Sequence, residues 1–195
     1  MTRKIAFDYE RALDRAMRLF WKNGYAGTAL RDLLKVMEIG EGSFYNTLKS
    51  KKELYLRCLQ RYDDNVLRTR RHALQSAPTA AVGIRTFFSL VLDCLDDPRT
   101  PSRLCMMAAM AAEEVLSEPD LQKRAANDLG SLEAALSERL SLDRDNGVLP
   151  PSLDPRITAV VITTYLQGVW RVALVDYDRA GFEQQIDTLL TGLGL

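Results

Sequence analysis

The side chains best suited to covalent or metal chemistry in this 195-residue sequence are one histidine and three cysteines. They are His72, Cys58, Cys94 and Cys105, and no two cysteines form a Cys-x-x-Cys pair. This pattern argues against a disulfide framework and against a zinc site. A single histidine also excludes most Ser-His and Cys-His catalytic arrangements. We therefore expect no metal, no cofactor and no enzymatic activity.

Cys105 is the cysteine with the most interesting sequence context. Arg103 lies two residues before it, and a nearby cation lowers the pKa of a thiol and makes it more reactive. Two interpretations stay open for Cys105, a buried packing residue or a redox switch. A thiol-dependent helical enzyme is a weaker alternative, because the sequence offers no paired carboxylates for acid–base work. Cys58 and Cys94 are expected to be buried small apolar residues.

A polar cluster near the N-terminus suggests binding rather than catalysis. Hydroxyl and amide groups reach phosphates and base edges, and lysines neutralise phosphates. The formal net charge is zero, yet residues 1–52 contain 11 Lys and Arg against 6 Asp and Glu. A basic first quarter is a candidate for polyanion binding, although ordinary scatter of surface charge explains it equally well. The cluster comprises Ser43, Tyr45, Asn46, Thr47 and Lys49.

The elements that position this cluster are three short helices. Val and Ile occur singly, without the alternation that marks strands, so the whole chain is predicted to be helical. Thr28 is expected to cap the second helix. Gly40 and Gly42 permit a tight turn before the third, which is the arrangement of a helix-turn-helix. The three helices are predicted over residues 7–22, 29–37 and 44–48.

A fourth helix is predicted from Ser50 to about Leu74, because Ser50 and Glu53 form a capping box. Proline-rich breaks then separate five further segments, which gives about nine helices in all. We expect an all-α chain with a helix-turn-helix domain over residues 1–52 and a helical sensor domain over residues 53–195. The five segments are predicted at about 79–96, 101–115, 118–142, 154–176 and 180–191.

The cellular compartment of the protein is predicted from where apolar residues occur along the sequence. No window of about 18 uninterrupted apolar residues occurs, so no membrane span is expected. The first residues are charged and contain no signal-peptide apolar stretch, which favours the cytosol.

Six short motifs follow one another in a fixed order over about residues 8–56. They are Ala16-Met17-Arg18-Leu19-Phe20, Asn23-Gly24-Tyr25, Gly27-Thr28, Leu30-Arg31-Asp32-Leu33, Gly40-Glu41-Gly42-Ser43-Phe44-Tyr45 and Ser50-Lys51-Lys52-Glu53-Leu54-Tyr55. Each motif alone is weak, but the set at these spacings is specific, and it resembles the TetR family of repressors.

The resemblance implies double-stranded operator DNA as a partner and assigns seven residues to it. The groups expected at phosphates include a hydroxyl or amide at the second helix and a lysine at the start of the fourth, where the helix dipole favours an anion. The groups expected at base edges lie on the third helix. The seven residues are Thr28, Arg31, Ser43, Tyr45, Asn46, Thr47 and Lys51.

The resemblance also implies a homodimer formed by the last two long helices. A single helix-turn-helix makes few base contacts, so two half-sites are usually read together. The alternative for the same residues is intramolecular core. The expected interface is Ile157, Val161, Thr164, Gly168 and Val172.

A small-molecule effector of the C-terminal domain is the remaining expectation. Methionine-rich walls suit adaptable apolar sites, although the same residues could simply be core. The leading hypothesis is a repressor that a small apolar or reactive molecule releases from its operator. A Cys105-based redox regulator and a helical interaction module without DNA binding are the alternatives. The expected ligand residues are Phe87, Met106, Met107, Met110, Tyr165 and Trp170.

Overall fold

A computed structural model of the chain describes residues 8–195, and these residues form helices and connecting turns without strands. The predicted all-α fold is confirmed. The predicted start of the first helix at Phe7 lies outside the described residues. The helices are α1 (Tyr9–Asn23), α2 (Leu30–Met37), α3 (Glu41–Leu48), α4 (Lys51–Tyr62), α5 (Arg68–Ser76), α6 (Ala80–Asp96), α7 (Glu113–Leu116), α8 (Pro119–Asp145), α9 (Pro155–Val175) and α10 (Arg179–Gly192).

The first three helices share a small core, which together with α4 we call the head. Helix α1 buries one apolar stripe, as its spacing predicts. Phe44 and Leu48 of α3 are fully buried and hold that short helix in place. The other side chains of this core are Leu13, Ala16, Met17, Phe20, Leu33 and Met37.

Helix α4 joins the head to the remaining helices, which we call the body. The Ser50 hydroxyl accepts a hydrogen bond from the amide of Glu53 at 3.1 Å, so the predicted cap is confirmed. Arg61 of α4 donates hydrogen bonds to Asp14 and Glu10 of α1. The predicted domain boundary after residue 52 falls inside the first turn of α4, which packs on α1 and continues through a π-helical turn, Asp63–Leu67, into α5.

The segment 101–115, predicted as a helix, is largely irregular, and that prediction is wrong. It contains a 3₁₀ turn, Ala108–Met110, before the four-residue α7. The carbonyl oxygen of Leu104 accepts a hydrogen bond from the Trp21 indole at 2.9 Å, although a helix would have used this oxygen internally. Cys105, Met106 and Met110 are all buried. Tertiary contacts therefore override the local helical preference here.

The body forms one apolar core in which α5 packs on α6 and α8 packs on α9. The start of α6 is fixed by Asp143, which accepts a hydrogen bond from the amide of Ala80 at 2.6 Å and pairs with Arg139. Both charged side chains are buried, so each needs the other as a partner.

Helix α9 is the one described helix that is long and apolar enough to cross a membrane by length and composition alone. Its most apolar 18-residue window has a mean hydropathy of 1.4, and 44% of that window is buried inside the protein. Core helices of soluble proteins also pass this test, so α9 is weak support for a membrane span.

Candidate nucleic-acid interface

The turn between α2 and α3 is tight because one residue takes a left-handed conformation. That residue is Glu38, with φ 57°, and neither glycine of the turn has a positive φ. The expectation that glycine supplies the sharp change of direction is therefore wrong. The Glu38 carboxylate lies 2.7 Å from Arg15, and this hydrogen bond lowers the pKa of Glu38. The ion pair fixes the turn to α1.

Helix α3 presents a polar face outward from its two buried anchors. Tyr45 is 49% exposed and its ring lies edge-on to Phe44, with 5.4 Å between ring centroids. Asn46 is exposed, and Ser43 and Thr47 are half-exposed. Within residues 8–195 no hydrogen bond engages the Tyr45 hydroxyl or the Asn46 amide. This face is therefore available to phosphates and base edges.

Glu41 is the first residue of α3 and is exposed. The helix begins two residues earlier than predicted, with Gly40 as its N-cap. A carboxylate in the first turn suits the positive end of the helix dipole. This position fits the interpretation of Glu41 as a solvated group at the helix end better than a base contact.

The start of α2 differs from the prediction. Ala29, not Thr28, is the N-cap, and it makes no side-chain hydrogen bond. Thr28 is fully buried, and its hydroxyl donates to the carbonyl oxygen of Gly24 at 2.6 Å. The Thr28 hydroxyl is therefore turned into the protein, and a phosphate contact through the backbone amide of Thr28 stays a prediction.

Two basic side chains extend from the outer face of α2. The side chain of Arg31 is 90% exposed and lies 3.7 Å from Asp32. Lys35, one turn further on, is also exposed. Sequence reasoning did not name Lys35, although its i+4 spacing from Arg31 places both on one face.

The two lysines at the start of α4 have different partners. The Lys51 ammonium lies 4.5 Å from the centroid of the Tyr25 ring, and partial burial lowers the pKa of Lys51. Lys52 contacts Asp120 of α8 at 2.7 Å, and this hydrogen bond raises the pKa of Lys52. Lys51 has no carboxylate partner among the described residues, so it keeps its charge available to a phosphate.

The predicted ligand residues lie in or against the body core. Four are buried and Met107 and Tyr165 are half-buried, which leaves both the core and the ligand interpretations open. The Tyr165 ring lies 5.9 Å from Phe88, and its hydroxyl is buried without a hydrogen-bond partner. A separate open groove of about 690 Å³ between α8 and α9 is not lined by this set.

Cys105 is buried, and its sulfur lies 3.4 Å from the hydroxyl of Tyr62. Arg103, expected to influence this thiol, instead lies over the Tyr177 ring at 4.8 Å and donates to the carbonyl oxygen of Ala173. Cys58 is buried as predicted, and burial raises its pKa. Cys94 is only half-buried.

One face of α9 is exposed and largely apolar. Ile157 is 63% exposed and Val172 is 52% exposed. The five residues predicted to form the dimer interface are all exposed, so they are not part of the core of the single chain. They are Ile157, Val161, Thr164, Gly168 and Val172.

Comparison with known proteins identifies the N-terminal helices. Residues 12–58 match the sequence profile described as "Bacterial regulatory proteins, tetR family". This stretch is similar to the DNA-binding domain of the TetR family. The chain is a transcriptional regulator with a DNA-binding helix-turn-helix.

Two HTH-type transcriptional regulators match most of the chain. The "Uncharacterized HTH-type transcriptional regulator YezE" of Bacillus subtilis is 29% identical over 76% of each chain. The "HTH-type transcriptional repressor ComR" of Escherichia coli is 25% identical over 86% of this chain and 80% of its own. These relatives are transcriptional regulators rather than enzymes, as expected for this chain.

A solved TetR-family structure shows the same fold. The regulator CifR, a cysteine mutant complexed with 26-bp double-strand operator DNA, superposes with a TM-score of 0.88 at 27% identity. The match covers 95% of this chain and 97% of CifR.

Proposed function

We propose that this protein is a repressor that binds operator DNA as a homodimer and leaves it when a small molecule enters the body. The observation that carries the proposal is the polar outer face of α3, held in place by the buried Phe44 and Leu48. A helix this short and polar gains little by packing, whereas it suits a major groove.

The proposed contacts with DNA divide into positioning and reading. Tyr45 and Lys51 hold phosphates, which fixes the helix on the duplex but carries no sequence information. Asn46 faces base edges, with Ser43 and Thr47 beside it. Arg31 reaches the backbone or a base from the exposed face of α2.

A homodimer through α9 is supported by its exposed apolar face. Val160 and Val161 extend the face begun by Ile157, and Val172 continues it three turns later. Gly168 has no heavy atom within 4 Å of a built Cβ, so a partner helix can approach closely there. Exposed apolar patches of this kind mark protein interfaces.

Release by an effector would be a shift between two populations of the dimer. One population holds the two α3 helices about 34–36 Å apart, the spacing of successive major grooves, and the other does not. ComR is described as a repressor, which supports repression rather than activation here. The partnerless buried hydroxyl of Tyr165 supports a polar contact for a ligand in the body.

The test begins with genomic fragments captured by the purified full-length protein. Fragments enriched over a Tyr45→Ala, Asn46→Ala double variant define the operator, and sedimentation of the complex gives its stoichiometry. The proposal expects two protomers on a site with two related half-sites. Equal enrichment by the double variant, or one protomer per site, would contradict it.

A redox-sensing regulator is the second candidate, and one observation favours it. The Cys105 thiol is hydrogen-bonded to Tyr62, whose ring lies edge-on to Trp21 of α1 at 4.8 Å. Oxidation of Cys105 would disturb a contact that reaches the head directly.

A further inference from the structure

Arg70 of α5 is a buried cation without a partner. Only 4% of the residue is exposed, and its Nη1 atom is buried with no hydrogen-bond partner. Across residues 8–195 no carboxylate forms an ion pair with it. Arginine stays protonated in proteins, and an unpaired buried charge is costly. The native structure therefore bears an electrostatic cost at this position.

The other buried arginine of the body shows how such a charge is normally compensated. Arg139 pairs with Asp143 and also donates to the carbonyl oxygen of Ala77. Arg71, the next residue in the chain, forms a two-bond pair with Asp63. Arg70 has no such partner among the described residues.

A π-helical turn and the buried Tyr62 lie close to Arg70 in the sequence. The π-helical turn Asp63–Leu67 separates it from Tyr62, and such turns occur frequently at functional sites. Burial raises the pKa of Tyr62, and the positive charge of Arg70 opposes that rise. The Tyr62 hydroxyl in turn contacts the sulfur of Cys105. Met106 follows on the same buried segment.

We propose that Arg70 is the anion-binding group of the effector site and that the effector is a small organic carboxylate. The carboxylate would take the missing ion pair with the guanidinium, whose geometry suits two parallel hydrogen bonds. Tyr62 supplies a hydroxyl beside it, and the segment carrying Met106 contacts the apolar remainder. This inference rests on the proposed function, since it names the chemical class of that effector.

The site also has a route to the head. The Tyr62 ring packs edge-on against Trp21 of α1, and the Trp21 indole donates to the carbonyl oxygen of Leu104, next to Cys105. A carboxylate that repositions Tyr62 or Cys105 therefore acts on a helix that packs directly under α2 and α4.

Benzoate and hexanoate are the probes, with benzamide and hexanamide as neutral controls of the same shape. Melting and calorimetric titration are measured on the full-length protein as wild type, Arg70→Gln and Arg68→Gln. Arg68 lies on the same helix but is exposed, so it controls for loss of charge alone. At least one carboxylate should stabilise wild type and Arg68→Gln, and Arg70→Gln should bind it roughly tenfold more weakly or worse. The amides should not bind.

Two results would overturn the proposal: no response of the wild type to either carboxylate, or an unchanged response of Arg70→Gln. Arg70→Gln should itself fold and melt no lower than wild type, because it removes an unpaired charge. The affinity of the protein for the captured operator is measured in parallel, with and without the carboxylate. If only a neutral compound releases the protein from operator DNA, the proposed function stands, but the proposal that the effector is a carboxylate is rejected. Binding through Arg70 without any change in DNA affinity would reject the effector role.

Discussion

Trp21 of α1 donates its indole N–H to the carbonyl oxygen of Leu104 at 2.9 Å and so joins the head to the irregular segment that carries Cys105. Arg18, one turn earlier on α1, donates to the carbonyl oxygen of Arg99 in the same segment at 2.9 Å. Two side chains of one helix of the head thus hold a single stretch of body backbone. That stretch contacts α1 without an intervening element.

Trp21→Phe should cost about 1 kcal/mol of unfolding free energy, because it removes one hydrogen bond and keeps most of the packing against Tyr62. Urea denaturation followed by circular dichroism measures this loss. Lys22→Gln changes the neighbouring exposed residue and should be neutral. An unchanged midpoint for Trp21→Phe would show that the contact to Leu104 contributes nothing to stability.

Much of the fold could be predicted because apolar spacing and caps are local signals. The stripe of α1, the Ser50 cap and the bounds of α6 and α9 all agree with the structure to within two residues. The exposed α3 face could be predicted for the same reason, since Phe44 and Leu48 alone occupy its inner side.

The errors have a common physical cause in contacts between residues distant in sequence. Leu104 gives its carbonyl to Trp21, so residues 101–112 do not form the predicted helix. Glu38 takes the left-handed position that glycine was expected to fill, and its ion pair with Arg15 helps to hold the turn. Arg70 gave no sequence signal at all, because burial of a charge is invisible to periodicity.

Salt dependence tests the contact of Lys51 with phosphate. Affinity for DNA should fall with a log–log slope of about −0.9 per phosphate neutralised. Lys51→Ala should flatten that slope by about one unit and weaken all sequences alike. Lys52→Ala is the matched control, since Lys52 is held by Asp120. If the salt-dependence slope changes equally in Lys51→Ala and Lys52→Ala, Lys51 does not have the specific phosphate contact proposed for it.

Gly168→Trp tests the dimer. The site has open space around it within one chain, so the monomer fold should tolerate the new side chain. A partner α9 should not, and both dimerisation and operator affinity should fall. Analytical ultracentrifugation measures the fraction of dimer. Ala126→Trp, at an exposed position of α8, serves as the control. If Gly168→Trp sediments as an unchanged dimer, the interface lies elsewhere.

Peroxide separates the two candidates for release. Cys105 is only 3% exposed, so on the leading proposal mild peroxide should leave DNA binding of the wild type unchanged. Anisotropy of labelled operator measures this. Release that occurs in the wild type and disappears in Cys105→Ser would favour the redox regulator instead, and release that persists in Cys105→Ser would favour neither.

The last prediction separates reading from holding within α3. Asn46 is placed to face base edges, and an amide that pairs with adenine contributes about 1–3 kcal/mol of discrimination. Asn46→Ala should therefore weaken operator binding more than binding to scrambled DNA. Tyr45→Phe removes only a hydroxyl expected at a phosphate, so both affinities should fall together.

Neither change should unfold the head, because both side chains are exposed and Tyr45→Phe keeps the ring that packs on Phe44. Each variant is titrated against operator and scrambled DNA, and thermal melting checks its fold. Equal losses on both DNAs for Asn46→Ala would mean that this amide contacts the backbone. Helix α3 would then remain the docking element, but its reading face would have to be reassigned around Ser43 and Thr47.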